Sequence, residues 1–591
     1  MIWTGLVIPL VCARGLRSIH DLGMAGLLEG GAIAIAFGYG GKLAMNRILV
    51  AAVIAALVSC TSFGQKKLPD VGRSCERLAE MALPSAKVTL AKLVVAGSFT
   101  PLTAVTQWAA SDAPLYRTLP PFCRVAIEAK PSADSEIKIE VWLPTGEWNG
   151  KFQGRGNGGF AGEIDYHALA VAIHEGYATA GTDTGHAAAG TDARWALGHP
   201  EKITDFGYRG IHEMTQAAKA VIKEFYGNRL QHSYFSACSN GGRQALMEAQ
   251  RFPADYDGIV AGAPANFWTH LLTSAVWDAQ ATTSEEASYI PSSKLPAIAR
   301  AVNEACDAQD GVKDGILNDP RKCRFDPAAM LCKTEDSDGC LTAPQVTALK
   351  KLYEGAHDSH GGRIFPGLLP GAEDGPGGWS QWITGNAPGK SLLFAFGGGF
   401  YGDMIYEQAD WSYQGADVGE LVKAADAKVA KTLNATEANL GAFKARGGKL
   451  ILYHGWDDPA ISALNSIDYY QSVVSAMGRD NVDAFARLYM APGMQHCGGG
   501  PGPDFFGQEG PSPMAKDAHH SAQLAVEQWV EKGVGPSAII ATKYEDRGAG
   551  GDVKMTRPLC AYPQVAKYKG SGDSNDAANF VCAAGDDGAP E

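Results

Sequence analysis

The chain has 591 residues, enough for two or three domains or for one large domain carrying an insertion. Its 46% apolar and 19% charged residues describe a globular protein and exclude a disordered one. A formal net charge of −13 argues against a binder of nucleic acid or of anionic membranes.

Residues 1–65 differ from the rest. "MNRILVAAVIAALVSC" sets Arg47 before an apolar run from Ile48 to Val58, the layout of a bacterial secretory signal and short for a membrane span. The run begins just after Met45, which is therefore the expected start of translation. "LVSC" resembles a lipobox that would make Cys60 a lipidated first residue, with ordinary signal cleavage nearby as the alternative. The expected location is accordingly outside the cytoplasm: periplasmic, secreted, or held on the outer membrane by a lipid. Export permits disulfides. Without Cys12 and Cys60, ten cysteines remain, an even number whose connectivity spacing alone does not fix. No CxxC pair occurs, which argues against a zinc ribbon or thioredoxin-type site.

Residues 66–264 alternate strand-like and helix-like segments. "IKIEVWLP" and "YATAGTDTG" read as strands, "IHEMTQAAKAVIKEFYG" as a helix with a glycine stop. "SYFSA", a helix from about Arg243, and "YDGIVAGAP" follow, so a mostly parallel, doubly wound sheet is expected. Residues 265–440 break the rhythm. Rich in Asp, Gly and Pro, with four cysteines and aromatic clusters, they read as an inserted lid domain. The rhythm resumes over 441–591 with "GGKLILYHGWDD" and "FARLYMAPGMQHCGGG", two strands that each end in a polar loop.

Between "SYFSA" and its helix stands Ala237-Cys238-Ser239-Asn240-Gly241. A nucleophilic serine on a strained strand-to-helix turn sits between small residues, normally G-x-S-x-G, and here alanine replaces the first glycine. Locally an N-cap serine also fits. The order of the remaining residues favours the nucleophile. Asp457 and Asp458 follow one later strand and His496 the next, the order Ser, acid, His of α/β-hydrolases, with both loops at strand ends. Cys238 precedes Ser239 and Cys497 follows His496. A bridge between them would tie nucleophile to base, whereas two free cysteines would not.

"CSNGGRQ", "QRFPADYDGIVAGAP", "YHGWDD" and "PGMQHCGGGPG", with the tail "TRPLCAYPQVAKYKGSGDSNDAANFVC", closely resemble the tannase and feruloyl esterase family of serine hydrolases. That family includes mono(2-hydroxyethyl) terephthalate hydrolase, and the resemblance runs over about residues 70–585. It implies an α/β-hydrolase fold with an inserted lid, Ser239 as nucleophile, His496 as base, Asp458 as orienting acid and the Cys238–Cys497 bridge. For the oxyanion hole it implies the backbone N–H groups of Asn240 and of Gly156, in the loop "FQGRGNGGFAG".

In the lid, "CDAQDGVKDGILNDPRKC" crowds Asp307, Asp310 and Asp314, which repel one another unless a hard cation or solvent intervenes. The loop resembles the family's calcium site, with the carbonyls of Val312 and Ile316 as further ligands and a structural metal away from the reaction. Cys306–Cys323 would clamp it and Cys332–Cys340 would close a small loop nearby. Cys75–Cys123 and Cys560–Cys582 are the pairs expected of the other four cysteines, which spacing alone does not fix.

The reaction implied is hydrolysis of a carboxylic ester through an acyl-enzyme, with no organic cofactor and a small aromatic ester as partner. Phe400, Tyr401 and Trp411 are expected to stack on the acyl group, a hydroxycinnamic or gallic acid. A terephthalate monoester would need a cation for its free carboxylate. "LLFAFGGGFYGDMIY" has no arginine, although Lys390 lies near it. A calcium-stabilised binding protein with a vestigial triad, and an acyltransferase, are the other classes open to this sequence.

Overall fold

The computed structural model describes residues 71–101, 113–508, 510, 514–545 and 551–585, together with the backbone of a two-residue strand pair, Leu28–Glu29 with Ala32–Ile33. The chain divides into two units, Met1–Leu68 and Pro69–Glu591. The signal segment, Met45 and Cys60 lie outside the described residues.

The second unit is organised by a ten-stranded sheet. In chain order its strands are β1 (Ala82–Leu83), β2 (Ala86–Val94), β3 (Phe122–Ala129), β4 (Ile137–Pro144), β5 (Lys151–Arg155), β6 (Ala178–Thr182), β7 (His232–Cys238), β8 (Gly258–Gly262), β9 (Lys449–Gly455) and β10 (Ala486–Ala491). In space they run β10-β9-β8-β7-β5-β6-β4-β3-β2-β1. From β10 to β6 every pairing is parallel; from β6 outward through β4 to β1 each is antiparallel.

Parallel strands buried on both faces must be apolar at every position, and "LILY" in β9 is. Leu450 and Leu452 point into one core, Ile451 and Tyr453 into the other. The helices follow from the same demand. α1 (Tyr166–His174), α2 (Gly210–Tyr226) and α3 (Asn240–Arg251) connect the early strands. α2 buries Ile211, Met214, Ala218, Val221 and Ile222, a 3.6-period stripe, and stops at Gly227 with φ 71°.

Residues 263–448 leave the sheet between β8 and β9 and return to it. They contain α4 (Trp268–Thr283), α5 (Leu295–Cys306), α6 (Ala343–Glu354), α7 (Leu392–Gly399) and α8 (Val418–Leu433), with a short ribbon of Gly355–His357 and Arg363–Pro366. One core, around Trp379 and Leu349, lies within this lid, and another, around Trp268, Phe400 and Tyr401, is shared with Phe160, Phe206 and Ile461 outside it. α9 (Ala463–Met477) and α10 (Ala522–Lys532) complete the two faces of the sheet, and two ribbons end the chain. All five expected cysteine pairs are bonded: Cys75–Cys123, Cys238–Cys497, Cys306–Cys323, Cys332–Cys340 and Cys560–Cys582. Among the described residues no helix is long and apolar enough to cross a membrane.

Candidate active site

Three parallel strands, β7, β9 and β10, end at the same edge of the sheet and deliver the site, with β8 between β7 and β9. β7 ends at Cys238, β9 runs into Trp456-Asp457-Asp458, and β10 runs into Pro492–His496. Between β7 and α3 the chain reverses within one residue, Ser239, at φ 65°, ψ −126°. An L-residue adopts such a backbone only when its surroundings enforce it. Here the Ser239 N–H donates to Gly262 O at 3.0 Å, and the Ala265 N–H donates to Ser239 O at 3.1 Å. The turn needs small neighbours. A Cβ on Gly241 would lie 2.5 Å from Ala237 Cβ, and one on Gly242 would lie 2.2 Å from Gly262 O. Alanine at 237 fits because Gly241 opposite it has no side chain.

Ser239 Oγ lies 2.9 Å from His496 Nε2, and His496 Nδ1 lies 2.8 Å from Asp458 Oδ2. Asp458 is fully buried; its Oδ1 accepts from the N–H groups of Ala460 and Ile461. Burial alone would raise its pKa. The charge of His496 and the hydrogen bonds from His454 and His496 reverse that, and hold it well below the usual carboxylate range. Asp457, the alternative acid, lies elsewhere: its N–H donates to Met494 O, and burial, with Glu373 nearby, pushes its carboxyl well above the ordinary value.

Cys238 and Cys497 join beside this row, spanning 259 positions of sequence with Cα atoms 6.0 Å apart. Replacing both with serine is expected to lower kcat by about 10²-fold, since a displacement of about 1 Å between reacting groups costs that much. Stability should fall by about 2–4 kcal/mol. Steady-state kinetics and a melting curve on the double variant check both.

Asn240 opens α3, so its backbone N–H has no partner within the helix. Gly156 faces it from the loop after β5. A Cβ there would sit 2.8 Å from Ala237 Cβ and 3.0 Å from Gly241 Cα, so only glycine allows this approach. Asn157 locks the two segments together. Its N–H donates to Gln244 Oε1, its Oδ1 accepts from Gln244 Nε2, and its carbonyl accepts from Asn240 Nδ2. Arg243, wholly buried, donates to Asn240 Oδ1 and to the carbonyls of Phe206, Gly207 and Leu433, and its guanidinium lies over the Phe206 and Trp268 rings. Burial pushes its pKa down to about 9.

The aromatic expectation needs correction. Phe400 and Tyr401 are 0% exposed in the lid core, where Tyr401 bonds Thr273, so neither offers a face to a ligand. Trp411, half-buried, packs on Tyr401 and Tyr406. The ring beside the serine–histidine pair is Trp382, 5.0 Å from the His496 ring. Phe396 on α7 stacks against it at 6.3 Å and meets Phe160 of the Gly156 loop at 5.2 Å. The spacing of the lid aromatics carried no signal for which rings face the cleft.

The acidic loop of the lid gathers hard oxygen donors. Asp310, Val312, Asp314, Ile316 and Asn318 line one small cavity with Pro492 and Arg557, and Asp307 packs behind, accepting from Asp314 and Gly315 N–H. Burial raises the Asp310 and Asp314 carboxyls, and each also feels the charge of its neighbours; Arg557 Nη2, 2.6 Å from Asp314 Oδ2, offsets part of this. One buried and two half-buried carboxylates with one guanidinium leave a site whose chemistry suits a calcium ion. Ile316 packs on the segment that leads to His496: its Cγ2 would be 3.1 Å from a Cβ on Gly493, three residues before that histidine.

Residues 123–583 match the family described as tannase and feruloyl esterase. An uncharacterized esterase of Xanthomonas campestris is 41% identical over 86% of this chain and 91% of its own length. Mono(2-hydroxyethyl) terephthalate hydrolase of Piscinibacter sakaiensis is 35% identical over 79% and 85%. The crystal structure of feruloyl esterase B from Aspergillus oryzae superposes with a TM-score of 0.79 at 30% identity, covering 87% of this chain and all of that one.

Proposed function

The chain belongs to the tannase and feruloyl esterase family, and we propose that this carboxylic ester hydrolase works by two-step acyl transfer on Ser239. The observation that carries this reading is the hydrogen-bonded row from Ser239 Oγ through His496 to Asp458. His496 Nε2 takes the hydroxyl proton as Oγ attacks the ester carbonyl, and the oxyanion is held by the N–H groups of Asn240 and Gly156. The bond to the alcohol oxygen breaks as His496 returns its proton there. A water molecule, deprotonated by the same nitrogen, then releases the acid from Ser239. Asp458 fixes the imidazole tautomer throughout.

The acyl group is an aromatic acid, hydroxycinnamic or gallic, stacked on Trp382 and Phe396. A terephthalate monoester would bring a second, free carboxylate. Residues 364–445 hold no arginine to receive it, and Lys390 is exposed. Acid release from methyl ferulate, methyl gallate, chlorogenate and mono(2-hydroxyethyl) terephthalate tests the reading. The expected order puts a phenolic ester at least about tenfold above the terephthalate monoester in kcat/KM. The reverse order would sink the phenolic assignment, and no hydrolysis of any of the four would sink the aromatic acyl group.

Calcium, on the same reading, is held by Asp307, Asp310 and Asp314 with the carbonyls of Val312 and Ile316. It neutralises the carboxylates and takes no part in acyl transfer. Chelation should lower Tm by roughly 3–10 °C while turnover persists below the new transition. A melting curve unmoved by chelator would count against the ion.

Export completes the proposal. It is supported by the five disulfides, bonds that persist in oxidising compartments. A lipid on Cys60 would appear in the mass of the mature N-terminal peptide.

A further inference from the structure

His454, the last but one residue of β9, is 0% exposed and stands on the same carboxylate as His496. Its Nε2 lies 3.1 Å from Asp458 Oδ2 and 3.0 Å from Ile461 O. Both partners are acceptors, so Nε2 carries a proton. Its Nδ1 lies 2.7 Å from Ser466 Oγ on α9. Among the described residues no other hydrogen bond of that hydroxyl is found, so the arrangement in which every group is satisfied has Ser466 donating to a neutral imidazole. Two further buried carboxyls belong to the neighbourhood of Asp458: Asp457, next to it in the chain, and Glu373, whose charge Asp457 feels; both are raised by burial, and among the described residues neither is hydrogen-bonded to the imidazole.

Asp458 Oδ2 therefore receives two N–H donors, one from the histidine that faces the serine and one from a histidine that does not. With Oδ1 engaged by Ala460 and Ile461, the carboxylate is fixed at four points. We propose that His454 is a positioning residue for catalysis, which through Ser466 and Ile461 orients the Asp458 carboxylate and divides its charge between two imidazoles. The proposal rests on the reading of Ser239, His496 and Asp458 as the catalytic row.

The division of charge has a readable consequence. Without the His454 donor, the carboxylate directs more of its charge at His496 and stabilises the imidazolium. The acid limb of kcat/KM, which reports His496 in the free enzyme, then moves to higher pH. In His454→Leu that limb is expected to rise by about 0.5–1 pH unit, and kcat to fall by about tenfold through lost alignment. His454→Gln, whose amide N–H reaches similarly far, should return the limb to the wild-type position. A role in packing alone would lower Tm and leave the limb where it was.

The experiment measures pH profiles of kcat/KM on the full chain for wild type, His454→Leu, His454→Gln and Ser466→Ala, with folding checked by circular dichroism. An upward limb in His454→Leu, recovered in His454→Gln, supports the proposal. An unmoved limb in folded His454→Leu, whatever its Tm, overturns it. Where His454→Leu does not fold, Ser466→Ala decides: a smaller upward shift supports the proposal and none overturns it. A fluorophosphonate is run on the wild type in parallel. If it leaves Ser239 unlabelled while the ester is still turned over, the catalytic-row reading has failed, and the positioning proposal fails with it.

Discussion

Ser239→Ala is expected to lower kcat on an aromatic ester by about 10⁶-fold, with KM changed little. The substitution removes one oxygen from a turn whose conformation the flanking segments impose. Ser239 N and O are bonded to Gly262 and Ala265, and Gly241 and Gly242 fill the space beside it. The elbow should therefore survive, as should the N–H groups of Asn240 and Gly156. What remains is binding and oxyanion stabilisation without a nucleophile, worth about 10³–10⁴-fold over water. Steady-state acid release gives the number, and labelling of the wild type but not of the variant by a fluorophosphonate assigns the oxygen. A variant within about a hundredfold of wild type would mean that water attacks directly and the row serves some other end.

The sequence carries this site unevenly, for physical reasons. Ser239 and His496 are legible because strained turns and strand ends dictate small neighbours and a fixed order, whereas the acid is legible only as Asp457 or Asp458, and the family resemblance chooses Asp458. Their cysteines are legible because each adjoins a reacting residue. The two-faced sheet is legible as well, from strands that alternate with helices and from the unbroken apolar run Leu450–Tyr453 in β9. The rings of the cleft are not. Phe400 and Tyr401 are as aromatic as Trp382 and Phe396, and only the packing of α7 against α4 and the Gly156 loop decides which pair is core. Arg243 and Asn157 are hidden for another reason. Arg243 bonds mostly backbone carbonyls, which leave no residue type to recognise, and Asn157 bonds the side-chain amides of Asn240 and Gln244, which no spacing ties to it. His454 stood in view four residues before Asp458, on the strand that leads to it. A buried imidazole there reads as core until its hydrogen bonds are drawn.

Asp458→Asn is expected to lower kcat by about 10⁴-fold, and the four contacts of the carboxylate say how. The Ala460 and Ile461 N–H groups, 2.8 and 3.0 Å from Oδ1, require an acceptor, so the amide oxygen must take that place. The NH₂ group is then forced into the Oδ2 position, between His496 Nδ1 and His454 Nε2. To avoid two facing donors, His496 must accept at Nδ1 and carry its proton on Nε2. That nitrogen is 2.9 Å from Ser239 Oγ, and once protonated it has no lone pair for the hydroxyl proton. His454 meets an N–H as well and loses its acceptor. The amide can turn its oxygen towards the two imidazoles only by setting its NH₂ against the two backbone donors of Ala460 and Ile461. Asp458→Ala, which leaves His496 free to adopt either tautomer, should consequently be no worse than Asp458→Asn despite removing more atoms. Kinetics on the pair, with the imidazole protons of His496 followed by NMR, separate tautomer from charge. If Asp458→Asn keeps more than about a tenth of wild-type kcat, the carboxylate does not set the tautomer, and the orienting role assigned to it is wrong.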